Sequence, residues 1–350
     1  MQIGEPGATP YVITEDVAGV PQAVAPGIWR IPLPLPFTLR WVNAYVLIGD
    51  DERVLVDCGL GTHKTLDVLT AGLAALDLTF ADLTTLLITH AHPDHIGLAA
   101  EIAAAMPHPR VVLLDLEART MTNVWGARAP EDLAPLRELH LRAGLAEPLV
   151  DEGVLELLGL SSIVHLPPTA AITTVSDNQT LILAGRSWRV LWTPGHAQGH
   201  LCLLSDDVII VGDHILPRIS PNVSLYPDAL SDPIQSHLDA LAHVAALTRP
   251  GLLALPGHGQ PFTALPARAE ELIAGHLKRA DAMLEALQAA PAPMSAAEVA
   301  NIIFARRLRE NVDHRLAIGE TLAHLERHRI AGRLRRDDSE HIIRYAPVSR

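Results

Sequence analysis

Thr89-His90-Ala91-His92-Pro93-Asp94-His95 is the stretch from which the rest of the chain can be read. His90, His92, Asp94 and His95 put four metal-capable side chains within six residues. A run with strand character, residues 84–89, precedes them, and a helical run, residues 96–105, follows. The stretch is therefore expected to be a loop at the C-terminal end of a buried strand. Imidazole and carboxylate are the donors that zinc and similar divalent ions select. In an extended loop His90 and His92 point the same way, as alternate residues do, while Asp94 and His95 turn toward a second position. Pro93 stiffens the turn, and Gly97 allows the helix to pack closely.

The same arrangement recurs downstream. Thr193-Pro194-Gly195-His196 follows the apolar run 188–191, Gly212-Asp213-His214 follows 208–211, and Pro256-Gly257-His258-Gly259 follows 252–255. Each time a strand ends in a Gly-flanked His or Asp, and glycine permits the tight turn that aims such a ligand inward. Asp57-Cys58-Gly59, after the run 53–56, has a similar form.

In order, these segments read HxHxDH, GH, GD and GHG, and the sequence resembles the metallo-β-lactamase superfamily from Asp57 to His258. The resemblance implies an αββα sandwich with a dinuclear metal site at one edge. It implies that His90, His92 and His196 hold one ion, that Asp94, His95 and His258 hold the other, and that Asp213 bridges them. Asp57 falls where the family keeps a carboxylate that orients ligands, with a purely structural role as the alternative. The implied cofactors are two divalent ions, zinc or else manganese or iron. A hydroxide shared by the two metals would attack a carbonyl or phosphoryl centre, with Asp94 orienting the nucleophile or accepting its proton. True β-lactamases lack the bridging Asp, so Asp213 speaks against antibiotic cleavage. His92 stands where flavodiiron proteins place Glu, and the intact second ligand set is more than a single-iron persulfide dioxygenase needs. Glyoxalase II-like describes the site and not the substrate, because no matching glutathione-binding set is found.

Other residues near these loops read less sharply. His214 points away from Asp213 at a strand end, as a core histidine or one that supports the ligands rather than a substrate contact, and His200 is similar. Tyr226, in the proline-rich loop 217–227, is either a substrate contact or a packing residue. Trp125, Trp188 and Trp192 read as core or interface.

Coarsely, short strands over 42–48, 53–56, 111–114, 180–183 and 201–204 alternate with helices over 62–76 and 233–247, a mixed α/β layer pattern. Residues 1–27 form an irregular lead-in ending in a first strand. Residues 117–170 are expected to be a helical insertion, serving as a cap or a dimer element. Composition shifts near residue 270. Residues 271–350 carry 13 basic and 11 acidic side chains, net +2, against −15 for residues 1–270. Helices over 271–289, 296–309 and 312–328, then two short strands around Asp337-Asp338-Ser339, give the pattern of a small C-terminal winged helix. The expected domains are thus 1–270 and 271–350.

The chain has 350 residues and a formal net charge of −13, against a general nucleic-acid-binding role. Two cysteines, Cys58 and Cys202, make no disulfide framework. No membrane span or secretory leader is visible, so a cytoplasmic setting is expected. Two functions stay open: hydrolysis of a small-molecule thioester, ester or lactone in a lidded pocket, and RNA cleavage. The second would use Arg315, Arg327 and Arg329 of the third helix and Arg333, Arg335, Arg336 and Arg344 of the hairpin. The bland reading of these arginines is a solvated face interleaved with Glu310, Asp313, Glu320, Glu326, Asp337 and Asp338, the module packing over the metal edge or at a dimer contact.

Overall fold

The protein is described here from a computed structural model, covering residues 17–37, 39–126, 129–227, 230–309 and 314–348. Residues 1–16 of the expected lead-in, residues 312–313 of the expected third C-terminal helix, and Glu310 lie outside the described residues.

Two sheets face one another. The first runs in chain order: β1 (Gln22–Ala25), β2 (Ile28–Pro34), β3 (Trp41–Ile48), β4 (Arg53–Val56), β5 (Thr85–Leu87), β6 (Val111–Leu114) and β7 (Ile172–Val175). It is antiparallel through β4 and parallel from β4 to β7. The second contains β8 (Thr180–Leu183), β9 (Arg186–Trp192), β10 (Leu201–Leu204), β11 (Val208–Gly212) and β12 (Leu253–Pro256), in the order β12-β11-β10-β9-β8.

Alternation along the strands builds the layers. Val54 and Val56 join Trp188, Val190, Ile210 and Leu255 between the sheets. Leu55 points the opposite way, into a core closed by Leu69 and Leu73 of α1 (His63–Ala74) and Ile102 of α3 (Ala99–Ala105). Ile209 and Val211 likewise leave the inter-sheet core to meet Leu241 and Val244 of α7 (Pro233–Ala246) and Leu265 and Ala269 of α8 (Leu265–Ala289). The result is a helix–sheet–sheet–helix sandwich, as expected.

The helical run after the HxHxDH loop is divided into α2 (Pro93–Ile96) and α3 at Gly97. A Cβ on Gly97 would come within 2.2 Å of the Gly61 amide nitrogen, so glycine is required for this close approach. The insertion supplies α4 (Asp115–Trp125), α5 (Ala134–Arg142) and α6 (Glu147–Ser161). β2 and β7 are strands that periodicity did not reveal; β7 exposes Thr173 and Thr174 on the sheet's edge.

At the C-terminal end α9 (Ala296–Ile303), α10 (Ala305–Arg309) and α11 (His314–Ile330) are followed by a hairpin of β13 (Leu334–Asp337) and β14 (Arg344–Pro347). Ser295 caps α9 in a reciprocal box with Glu298. The run 296–309 is broken at Phe304 into two helices. α8 continues through residue 270. Its first half packs against the second sheet, and its second half, with Met283 and Leu287, packs in the C-terminal core. α11 is buried without interruption from Ala317 to Glu326.

Candidate metal centre

The strand directions explain why the ligand-type residues meet. β4 and β5 are parallel, so Asp57 and the Thr89–His95 loop leave the first sheet at one edge. β9 and β11 both run antiparallel to β10, and β12 runs parallel to β11. His196, Asp213 and His258 therefore leave the second sheet together. The structure brings all seven expected ligand residues into one cluster. Three groups within it, His90–His92–His196, His90–His95–Asp213 and Asp94–His95–His258, each keep their donor atoms within 4.8 Å of one another.

Asp213 lies at the middle. Its Oδ1 is 3.6 Å from His95 Nε2, and its Oδ2 is 3.6 Å from His196 Nε2 and 3.2 Å from His258 Nε2. Asp94 Oδ2 is 3.3 Å from His258 Nε2. Gly257 makes room for this: a Cβ there would lie 2.2 Å from Asp213 Oδ1.

Four imidazoles are held by their Nδ1 atoms and present Nε2 inward. His95 Nδ1 donates to Asp57 Oδ2 at 2.8 Å, His196 Nδ1 to the Asn222 carbonyl at 2.8 Å, and His258 Nδ1 to the Trp41 carbonyl at 2.6 Å. Thr89 Oγ1 donates to Asp57 Oδ2, so His90 Nδ1 donates to Thr89. Such outer partners fix the tautomer and ring orientation of a metal-binding histidine. Asp57 thus holds the His95 ring, and its own backbone sits in the left-handed region, at φ 57°.

Burial would lower His258, yet the facing carboxylates of Asp213 and Asp94 push it up to about 10. His95 is raised in the same sense, against its burial, chiefly by Asp57 and Asp213. Burial, with His196 beside it, lowers His92 to about 3, and burial also lowers His90 and His196. Burial pushes Asp94 and Asp213 up, but neighbouring histidines bring both below the usual carboxylate range. The carboxylates therefore demand positive charge, while three neutral imidazoles offer lone pairs. His95 Nε2, His196 Nε2 and Asp213 Oδ1 are buried without a hydrogen-bond partner among the described residues. Each costs about 1–3 kcal/mol in that state. Divalent cations fit this donor set, satisfying the orphaned atoms and supplying the charge.

Several further residues support the cluster. Glu117 of α4 is buried and accepts from the Ala91 amide at 2.7 Å and the Gly199 amide at 2.8 Å. It ties the HxHxDH loop to the loop after His196. Trp125 Nε1 donates to the Ala91 carbonyl. His200 Nε2 accepts from the Asp213 amide at 3.1 Å. Asn43 Nδ2 and the Tyr45 hydroxyl both donate to the Pro256 carbonyl, holding the GHG turn. Glu117 and Asn43 carry no motif, and only their distant backbone partners reveal them.

His214 is not part of the cluster. It is fully buried, its nearest ring neighbour being His237, with centroids 5.1 Å apart. Tyr226 lines a cavity of about 470 Å³ that opens beside His92, Asp94 and His196. Met121, Trp125, Leu136 and Leu157 of the insertion form one wall, and Arg315 and Leu316 of α11 close another.

The family model described as the metallo-beta-lactamase superfamily matches residues 38–258, the span that contains every one of these loops. The chain belongs to this superfamily. A second model, for the metallo-beta-lactamase-like C-terminal domain, matches residues 281–348. A crystal structure of a metallo-beta-lactamase family protein from Thermus thermophilus is similar, with a TM-score of 0.80 and 35% identity over 93% of this chain and all of that one. The probable metallo-hydrolase YqjP of Bacillus subtilis is 26% identical across 85% of this chain and 90% of its own length. An atrochrysone carboxyl ACP thioesterase of Aspergillus chevalieri is 22% identical across 76% of this chain and 68% of its own length. Among superfamily members this chain is thus a metallo-hydrolase relative, and its His and Asp cluster could hold metal ions. No helix among the described residues is long and apolar enough to cross a membrane.

Proposed function

We propose that the protein is a dinuclear metal-dependent hydrolase of a small-molecule thioester, ester or lactone with an apolar acyl portion. The observation that carries this reading is the largely apolar cavity of about 470 Å³ beside the cluster. Its volume suits one small ligand.

His90, His92 and His196 would hold one divalent ion, Asp94, His95 and His258 the other, with Asp213 between them. When bound, such ions supply an activated water and polarise the electrophilic oxygen. The chain's own residues do the rest. Asp94, on the cavity side of the cluster, is ionised and can accept a proton from the attacking water. Met121, Leu136 and Leu157 would take the acyl chain and exclude bulk water from the reacting face. Tyr226 and Arg315 also line the cavity, and would meet a carbonyl, carboxylate or phosphate of the leaving portion. The similarity to a carboxyl ACP thioesterase supports a thioester within this class.

Nucleic acid as substrate has less support. A recognition helix must offer a face to a groove, and α11 is enclosed over Ala317–Glu326. Four of the seven arginines invoked for RNA are paired within the chain: Arg327 with Gln235, Arg329 and Arg336 with Glu326, and Arg344 with Glu298. We infer that the C-terminal module serves as a wall of the pocket. The test is Leu157→Trp, which narrows the cavity away from the cluster. A series of acyl thioesters of increasing chain length should show KM rising for long chains, with turnover of the shortest chain retained. Equal effects on every chain length would remove the cavity as the acyl site.

A further inference from the structure

A second group of ligand-type side chains lies away from the cluster, between α8 and α11. His276 of α8 and Glu320 and His324 of α11 each offer one donor atom, and these atoms lie within 4.8 Å of one another. All three residues are buried, at 1%, 6% and 0% exposure. Glu320 and His324 are one turn apart on the same face of α11, and the His276 ring stacks on that of His324, with centroids 5.7 Å apart.

The hydrogen-bond account of this group is incomplete. Both ring nitrogens of His324, and Nδ1 of His276, are buried without a hydrogen-bond partner among the described residues. Buried imidazoles are ordinarily satisfied, and each orphaned nitrogen is costly. Both rings are neutral at pH 7: burial, reinforced by Arg279 and Arg327, lowers His276 to about 4, and burial, reinforced by His276 and Arg279, lowers His324. Their lone pairs are free to coordinate. Glu320 is already engaged. Its Oε1 accepts from Arg279 at 2.5 Å and its Oε2 from Asn222 Nδ2 at 3.3 Å. A carboxylate has about four acceptor positions, so Arg279 and Asn222 can remain as its outer partners while it takes a cation. The Arg279 charge opposes a dication, and the two neutral imidazoles and the carboxylate must outweigh it.

We propose that His276, Glu320 and His324 form a further metal site, structural in role, for a divalent ion of the zinc class. Two imidazoles and one carboxylate are a zinc donor set that leaves the fourth position to a water. The site would pin α11 to α8 and so fix the wall that carries Arg315 and Leu316. It also communicates with the first cluster. Asn222, which donates to Glu320, accepts through its carbonyl from His196 Nδ1. The site does not depend on the substrate proposed above.

The experiment is X-ray diffraction from crystals of the full chain, purified with zinc, with data collected on both sides of the zinc absorption edge. An anomalous peak between His276, Glu320 and His324, besides any at the His90–His258 cluster, is the expected result. Zinc measured per chain by mass spectrometry should fall by one equivalent in His324→Gln and in His276→Gln. Peaks confined to the His90–His258 cluster would overturn the proposal, whatever the folding of the variants. So would unchanged zinc content in folded variants.

Discussion

Asp57 Oδ2 and His95 Nδ1 lie 2.8 Å apart, and both groups are buried. The same carboxylate accepts from the Thr89 amide and from the Thr89 hydroxyl, each at 2.8 Å. One side chain thus sets the start of the HxHxDH loop and the ring of its last member. Asp57→Asn should leave the fold intact and weaken metal affinity about 10–100-fold, the effect typical of losing such an outer partner. Titration with zinc against a competing chelator measures it. Unchanged affinity would remove Asp57 from the account.

Gly257 has no space for a side chain, because its Cβ would meet Asp213 Oδ1 at 2.2 Å and His95 Cε1 at 2.8 Å. Gly257→Ala should displace Asp213 and abolish metal-dependent turnover while the far-ultraviolet circular dichroism is retained. Wild-type turnover would mean that Asp213 need not stand where the structure has it.

Glu117 joins two loops by accepting from two buried amides. Glu117→Ala leaves both amides unsatisfied in a closed site. The expected loss of stability is about 2–4 kcal/mol, read by urea denaturation, with weaker metal binding because His90 and His92 lose their anchor. A change under about 0.5 kcal/mol, the level of an ordinary surface substitution, would contradict it.

Buried neutral histidines make the metal-free protein acid-sensitive. His276 is lowered from 6.5 to about 4, and His237 and His324 are lowered in the same direction, burial being the first cause in each. The unfolded chain therefore binds these protons first, so their stabilising contribution is present above pH 6.5 and lost as pH falls toward 4. Each such group costs about 1.4 kcal/mol per pH unit across its window. Urea midpoints for chelator-treated protein should fall between pH 7 and pH 5, and the fall should be smaller in His276→Gln. A flat profile would contradict the buried, neutral state of these rings.

The site was more legible than its supports. His90, His92, Asp94 and His95 declare themselves by spacing, and His196, Asp213 and His258 by glycine-flanked strand ends. The layers were legible because Val54, Leu55 and Val56 alternate between two cores. Glu117 and Asn222 were not, because each acts on the backbone or ring of a residue that only the fold brings near. β2 carries two prolines, and β7 has two exposed threonines, so neither offers the apolar signal of a buried strand. The arginines of α11 could not be judged from charge alone. Their partners, Gln235 and Glu326 among them, come into view only once α11 is enclosed by its neighbours.

The central claim is metal-dependent hydrolysis of a small acyl substrate at the His90–His258 cluster. Its most direct test is turnover of a medium-chain acyl thioester by zinc-loaded protein, beside a chelator-treated sample, Asp94→Ala, and a labelled single-stranded RNA offered to the same enzyme. The account predicts thioester cleavage that disappears with the metal and with Asp94, and no RNA cleavage above the Asp94→Ala background. Metal-dependent RNA cleavage, with thioester, ester and lactone substrates all left intact, would contradict it.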